Sequence, residues 1–441
     1  MMSSSEEKEI STLIQSFPSL RMEEDKQREI AGQIRQEKGL LTRIKRRKLF
    51  RNVIGGMAAS MAILLIAYQV VISPQTSSVQ SAQTSNTPES PSTTAAGTNE
   101  KNDKVTTINP QIQAYVEAAL DKTNEAFRPE RMTVIVTDPH TGEILAMANR
   151  TSKELAKEQA YAIRALPDPV TTFPIVALAA AIQEGKFDSR EIFDSGTYEV
   201  SPGKLIKDHN NGIGWGKITY LEGIQRSSNV AYAKLGNEQL KKDLLQEYLN
   251  RFGFGNKTGI ELEDEEAGTI PPMENPYDVA AAALGQGASA TAMQQVAAMG
   301  AIANGGELMK PHLYKQADTD TRNHYIVRQV ISEETAREVR EILESSVTMA
   351  VGSNKTFKMD EYSVAGKSGV APKYDVQGNV IEGKYIASFI GFAPIDNPRL
   401  LISVSIDEPK TDLWFGLWWR SIVSPLFKEI MENSLRSLQQ Q

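Results

Sequence analysis

The stretch VIGGMAASMAILLIAYQVVI, Val53 to Ile72, runs twenty residues without a charge. A helix of that length reaches roughly 30 Å at about 1.5 Å per residue, the hydrocarbon thickness of a bilayer. It divides the chain into parts that cannot share one core. Six basic residues precede it in RIKRRKLFR, Arg43 to Arg51, an asymmetry that places the N-terminal side in the cytoplasm and everything after Ile72 outside. As a cleaved signal peptide the run is too long and starts too far from Met1, and no small-residue cleavage site follows it. The basic flank and the polar segment behind it also argue against a buried core helix. The expectation is a single-pass anchor over residues 53–72 and localisation at the cell membrane.

Behind the anchor, Ser73 to Asp103 is rich in Ser, Thr, Gln and Pro and nearly devoid of apolar residues, so it cannot build a core. As a flexible tether its r.m.s. span is about 30 Å, and residues 73–107 read as a linker. Residues 1–52 read as a cytoplasmic tail of mixed charge. Ile10, Leu13, Ile14 and Phe17 share one helical face, and Ile30 and Ile34 suggest a second short amphipathic helix. The tail is either a solvated, partly helical arm or a docking segment for a cytoplasmic partner.

The remainder, residues 108–441, has the mixed pattern of a folded domain. MTVIVTDPHTGEILAMAN (Met132 to Asn149) reads as a hairpin turning at Pro139 and Gly142, and YIASFIGFAPIDNPRLLISVSIDEP (Tyr385 to Pro409) as another. Between them TAMQQVAAMGAIANGG (Thr291 to Gly306) starts on a threonine cap and stops at Asn-Gly-Gly. Strands at both ends and helices between them imply an α+β domain, with an antiparallel sheet made from both ends packed against a helical subdomain. The chain holds no cysteine, which excludes disulfides, thiol catalysis and thiolate metal sites. His140, His209, His312 and His324 have no metal-ligand spacing, so no metal or cofactor is expected. A net charge of −7 with no basic stripe in the main body gives no sign of nucleic-acid binding.

Six segments occur in a fixed order: DPHTGEILAMANR, GIQRSSNVAYAKLG, RFGFGNKTGIELEDEEAG, LGQGASATAMQQVAAMGAIANGG, VAGKSGVA and YIASFIGFAPIDNP. Their order and spacing resemble the penicillin-binding protein transpeptidase domain over nearly all of residues 108–430. The resemblance implies a serine acyl-transferase fold that acts on the D-Ala-D-Ala stem peptide of peptidoglycan and is acylated by β-lactams. The long pedestal of many membrane-bound members is not expected between anchor and domain.

Acyl transfer in this family uses Ser-x-x-Lys at a helix start, Ser-x-Asn on a loop and Lys-Thr/Ser-Gly on a strand. By this resemblance Ser227-Ser228-Asn229 supplies the second element, with Ser227 as proton relay and Asn229 as the substrate amide contact. Lys367-Ser368-Gly369 supplies the third, binding the substrate carboxylate, with Val370 where threonine is usual. The first element is degenerate. PVTTFP puts Thr171 at the nucleophile position, Pro174 at the lysine position and Val170 where glycine precedes the nucleophile. Threonine is a competent nucleophile when given a base, but proline has no titratable group. Losing the base of such a unit typically costs about 10⁴–10⁶ in turnover. Proline is tolerated in a first helical turn, whose N–H groups lack intrahelical partners, so the substitution spares the fold. Rescue through Lys367 and Ser227 is the competing route, and a protonated lysine would be a poor base.

The expected function is a membrane-anchored, penicillin-binding-protein-like protein of cell-wall peptidoglycan metabolism, catalytically inactive and acting as a scaffold or sensor. Its expected partners are the stem peptide or a β-lactam (the latter held without a covalent bond), and a cell-wall synthase. The alternatives are an active D,D-transpeptidase or carboxypeptidase acylated at Thr171, and a transmembrane regulator whose tail looks similar to those of membrane-bound anti-sigma factors and engages a cytoplasmic regulatory partner. WFGLWW, Trp414 to Trp419, reads as core packing or as an exposed aromatic patch.

Overall fold

The computed structural model describes residues 105–151, 161–164, 167, 169–315, 321–349, 351–375, 377, 379–411 and 419–440. The expected tail, anchor and all but the last few residues of the linker lie outside these residues. So does the aromatic run from Trp414, except that Trp419 opens a short helical turn to Val423. No helix among the described residues is long and apolar enough to cross a membrane.

Both expected hairpins form. Strand β1 (Arg131–Thr137) pairs with β2 (Ile144–Thr151), Val134 opposite Ala148. Strand β3 (Ala365–Tyr374) pairs with β4 (Val380–Ala393), which pairs in turn with β5 (Leu400–Asp407). Strands β1 and β5 join the two ends of the domain, Val134 opposite Val404, and close an antiparallel sheet of order β2-β1-β5-β4-β3.

The period-two alternation of a strand sends neighbouring residues to opposite faces, and here both faces are apolar. Met132, Val134, Val136, Phe389, Val404 and Ile406 build one core with α1 (Pro110–Phe127) and the C-terminal helix Ser424–Gln439. Ile135, Met147, Ile390 and Leu401 face the helical body instead. The central helix of that body, α2 (Phe173–Gln183), buries its residues Phe173 to Ala181 without interruption, as a helix apolar all round must.

The outer edge of β2 is blocked by Gln113 of α1, whose amide accepts from Met147 N–H at 3.0 Å and donates to Met147 C=O at 3.2 Å. That side chain does what a neighbouring strand would do and removes a template for unwanted pairing. The opposite edge, β3, carries Lys367, Ser368 and Gly369.

Candidate functional site

Helix α2 begins where the sequence places it, with Thr172 at the N-cap and Pro174 in the first turn, buried. Thr172 has helical dihedrals (φ −106°, ψ −36°) and makes no capping bond, since Pro174 removes one N–H that a cap would serve. The two threonine hydroxyls turn instead to Gln295 on α4 (Ala292–Ala303), which follows helix α3 (Asn229–Lys234) in the chain. Thr171 Oγ1 donates to Gln295 Oε1 at 2.7 Å, and Thr172 Oγ1 lies 3.4 Å from the same oxygen. Thr171 is 3% exposed.

Helix α4 starts on a capping box, Thr291 and Gln294 satisfying each other's main chains, and this fixes the phase that aims Gln295 at Thr171. Next to this pair a cavity of about 40 Å³ is bounded by Ser388, Ser403 and Ser405 of the sheet.

Strand β3 closes on Thr171 from the other side. A Cβ placed on Gly369 would meet Thr171 Cγ2 at 2.5 Å, Val170 Cγ2 at 2.9 Å and Thr171 N at 3.1 Å. Only glycine permits that approach. Lys367, two residues earlier, shares the face of Gly369. Lys367 is 4% exposed, and its ammonium donates to Ser368 C=O at 2.6 Å. Burial among uncharged groups pulls its pKa down from 10.5 to about 8, because a charged amine loses its hydration there. At that value the amine stays mostly protonated at neutral pH and loses its proton just above it. Ser368 is half-buried and alternates to the opposite face, where it pairs across with Phe389.

The Ser-x-Asn loop is built as a tight turn. Ser227 takes φ +57° and its N–H reaches Ile224 C=O at 2.9 Å. Ser228, fully buried, caps α3 through Ala231 N–H and donates to Asp208 Oδ1 at 2.7 Å. Asp208 also accepts from Val230 N–H at 3.0 Å and Gly196 N–H at 2.7 Å. The middle serine is therefore structural. Asn229, at the first residue of α3, donates to Lys207 C=O at 2.8 Å.

The fold brings Thr171 against Gly369, two residues beyond Lys367 on β3, with Pro174 in the first turn of α2, and it places Ser227 and Asn229 at the start of α3. Among the described residues no hydrogen bond links Thr171 to Lys367 or Ser227; the one its hydroxyl donates is accepted by Gln295 Oε1. Gln295, Asp208 and Asn354, which bonds to Ser368 N–H, were not singled out in the sequence. A glutamine on the apolar side of an alanine-rich helix is the one local sign that marks Gln295.

A threonine hydroxyl at a helix start packed against a Lys-Ser-Gly strand, with a Ser-x-Asn turn in the same domain, is the motif set of the acyl-transferase class with its first element altered. The penicillin binding protein transpeptidase domain matches residues 132–432. Stage V sporulation protein D of Bacillus subtilis is 38% identical over 352 residues, covering 75% of this chain and 53% of that protein. The probable peptidoglycan D,D-transpeptidase PenA of Neisseria meningitidis is 29% identical over 348 residues, covering 76% and 57%. The chain thus spans little more than half the length of these relatives. Among solved structures, the transpeptidase domain of Burkholderia pseudomallei penicillin-binding protein 3 superposes with a TM-score of 0.67 at 29% identity, covering 77% of this chain and 98% of that one. Penicillin-binding protein 3 of Mycobacterium tuberculosis, complexed with aztreonam, gives 0.67 at 25% identity, covering 76% and 79%. The chain belongs to the penicillin-binding protein transpeptidase domain family.

Proposed function

We propose that this protein is a membrane-anchored member of the family whose domain grips a carboxylate-ended cell-wall peptide without acylating itself, as a scaffold or sensor in peptidoglycan metabolism. The observation that carries the reading is the hydrogen bond from Thr171 to Gln295 with Pro174 buried one turn along. An amide oxygen accepts a hydrogen bond but does not take a proton near neutral pH, so the hydroxyl is held and not activated. The means of binding remain. Lys367 is a buried amine with no carboxylate among its hydrogen-bond partners in the described residues, and a ligand carboxylate supplies a counter-charge.

One observation favours the second reading, an active transpeptidase or carboxypeptidase. A lysine titrating at about 8 is partly neutral at physiological pH and then able to accept a proton. The anchor over residues 53–72, the outward domain and a signalling tail belong to this proposal on the sequence alone.

The test is fluorescence anisotropy with fluorescein-labelled L-Lys-D-Ala-D-Ala, followed by chromatography of the recovered peptide. Reversible binding with the peptide returned whole is expected. Release of D-alanine, or no binding, would overturn the reading.

A further inference from the structure

Strand β3 is the outer strand of the sheet, so alternate main-chain groups face away from β4. At Gly366 and Ser368 those groups are met by a single side chain. Asn354 Oδ1 accepts from Ser368 N–H at 3.2 Å, while its Nδ2 lies 3.4 Å from Gly366 C=O and donates to Ser346 Oγ at 2.9 Å. Asn354 is fully buried. Its own N–H bonds to Ser346 C=O at 3.0 Å and its C=O accepts from Phe357 N–H at 2.9 Å. Helix α5 (Glu333–Thr348) and the turn Lys355–Phe357 therefore hold it from two sides. The Ser368 C=O is taken by the Lys367 ammonium.

The same parity continues at Val370 and Pro372, and proline has no N–H to offer. From Gly366 to Pro372, Val370 alone keeps both an outward N–H and an outward C=O without a partner among the described residues. An extended peptide that adds to a sheet edge needs such pairs at every second residue.

We propose that Asn354 determines specificity by ending the binding edge: a peptide laid along β3 pairs at Val370 and must stop at Ser368, because Asn354 already fills the next position. The site then accepts chain ends and rejects a chain that continues. The inference rests on the peptide-binding reading above and assigns its selectivity to a residue outside the three family motifs. Asn354 is a positioning residue, acting through Ser368 and by exclusion.

The test compares fluorescein-labelled L-Lys-D-Ala-D-Ala with the same peptide extended by one glycine, by anisotropy on the full chain. Wild type is expected to prefer the unextended peptide by about tenfold, and Asn354→Ala to reduce that ratio to within about threefold, with melting curves confirming a folded variant. Asn354→Asp, which keeps the acceptor for Ser368 N–H, is expected to retain the preference. A second readout needs no variant: amide exchange of wild type with the unextended peptide should add protection at Val370 and leave Ser368, protected already, unchanged. An unaltered ratio in folded Asn354→Ala, equal binding of the two peptides to wild type, or new protection at Ser368 overturns the inference while the peptide-binding reading stands. Failure of wild type to bind either peptide overturns both.

Discussion

Thr171 and Gln295, 124 residues apart in the chain, form one buried hydrogen bond of 2.7 Å from Oγ1 to Oε1. It gives a nucleophile-position hydroxyl a partner that cannot deprotonate it. Replacing Gln295 by leucine leaves that hydroxyl buried and unpaired, at a cost of about 1–3 kcal/mol. In Thr171→Val/Gln295→Leu neither group needs a partner, and thermal melts should show a coupling of about 1 kcal/mol between the two sites. Additive losses would mean the bond contributes nothing.

Gly369 and the Thr171 methyl are in contact across the cleft. Gly369→Ala is expected to destabilise by about 1–3 kcal/mol through overpacking. Thr171→Ser removes the nearest obstructing atom, so the double variant should recover part of the loss in denaturant unfolding. Val170 Cγ2 and Thr171 N stay close, and recovery should be incomplete.

Lys367 sets the pH response of binding. Its folded pKa of about 8 lies below the ordinary 10.5, so between those values the unfolded chain binds more protons than the folded one. Stability therefore gains from this group as pH rises from about 8 to 10.5. Carboxylate binding has the opposite sign, since it needs the charged amine. Affinity for L-Lys-D-Ala-D-Ala should hold below about pH 8 and fall about tenfold per unit well above it. Lys367→Met should abolish both that dependence and the binding.

Lys373 sits among Glu130, Asp407 and Glu408, at 3.3, 3.0 and 2.6 Å. Burial tends to lower its pKa, but hydrogen bonds to Glu408 and Asp407 outweigh that and hold it raised. Burial also pushes the Asp407 carboxyl up against the pull of Lys373. Lys373→Met leaves three carboxylates within 4.8 Å of one another and should cost about 1–3 kcal/mol at pH 7. Repulsion among the three carboxylates favours proton uptake by the folded variant over the unfolded chain, so the deficit should shrink as pH falls towards the carboxylate range. Melts at pH 7.5 and 4.5 check this.

What was legible in the sequence was local. The turn at Gly142, the Thr291 cap and the Asn-Gly-Gly stop are decided by nearest neighbours, so both hairpins and α4 fall where their residues put them. Pro174 was legible too, because a first-turn position tolerates proline wherever the helix packs. Contacts across the chain were not. Nothing near Gln295 announces Thr171, and SSN does not reveal that its middle serine is committed to Asp208. Nothing in GSNK, around Asn354, points to Ser368. The burial that brings Lys367 down to about 8 depends on tertiary packing that no neighbouring residue in the chain announces.

Acylation of Thr171 separates a silent site from a working one, and intact-mass spectrometry after prolonged incubation with benzylpenicillin measures it directly. Wild type should keep its mass, while Thr171→Ser/Pro174→Lys should gain one penicilloyl group. An adduct on wild type mapped to Thr171 would contradict the silent site.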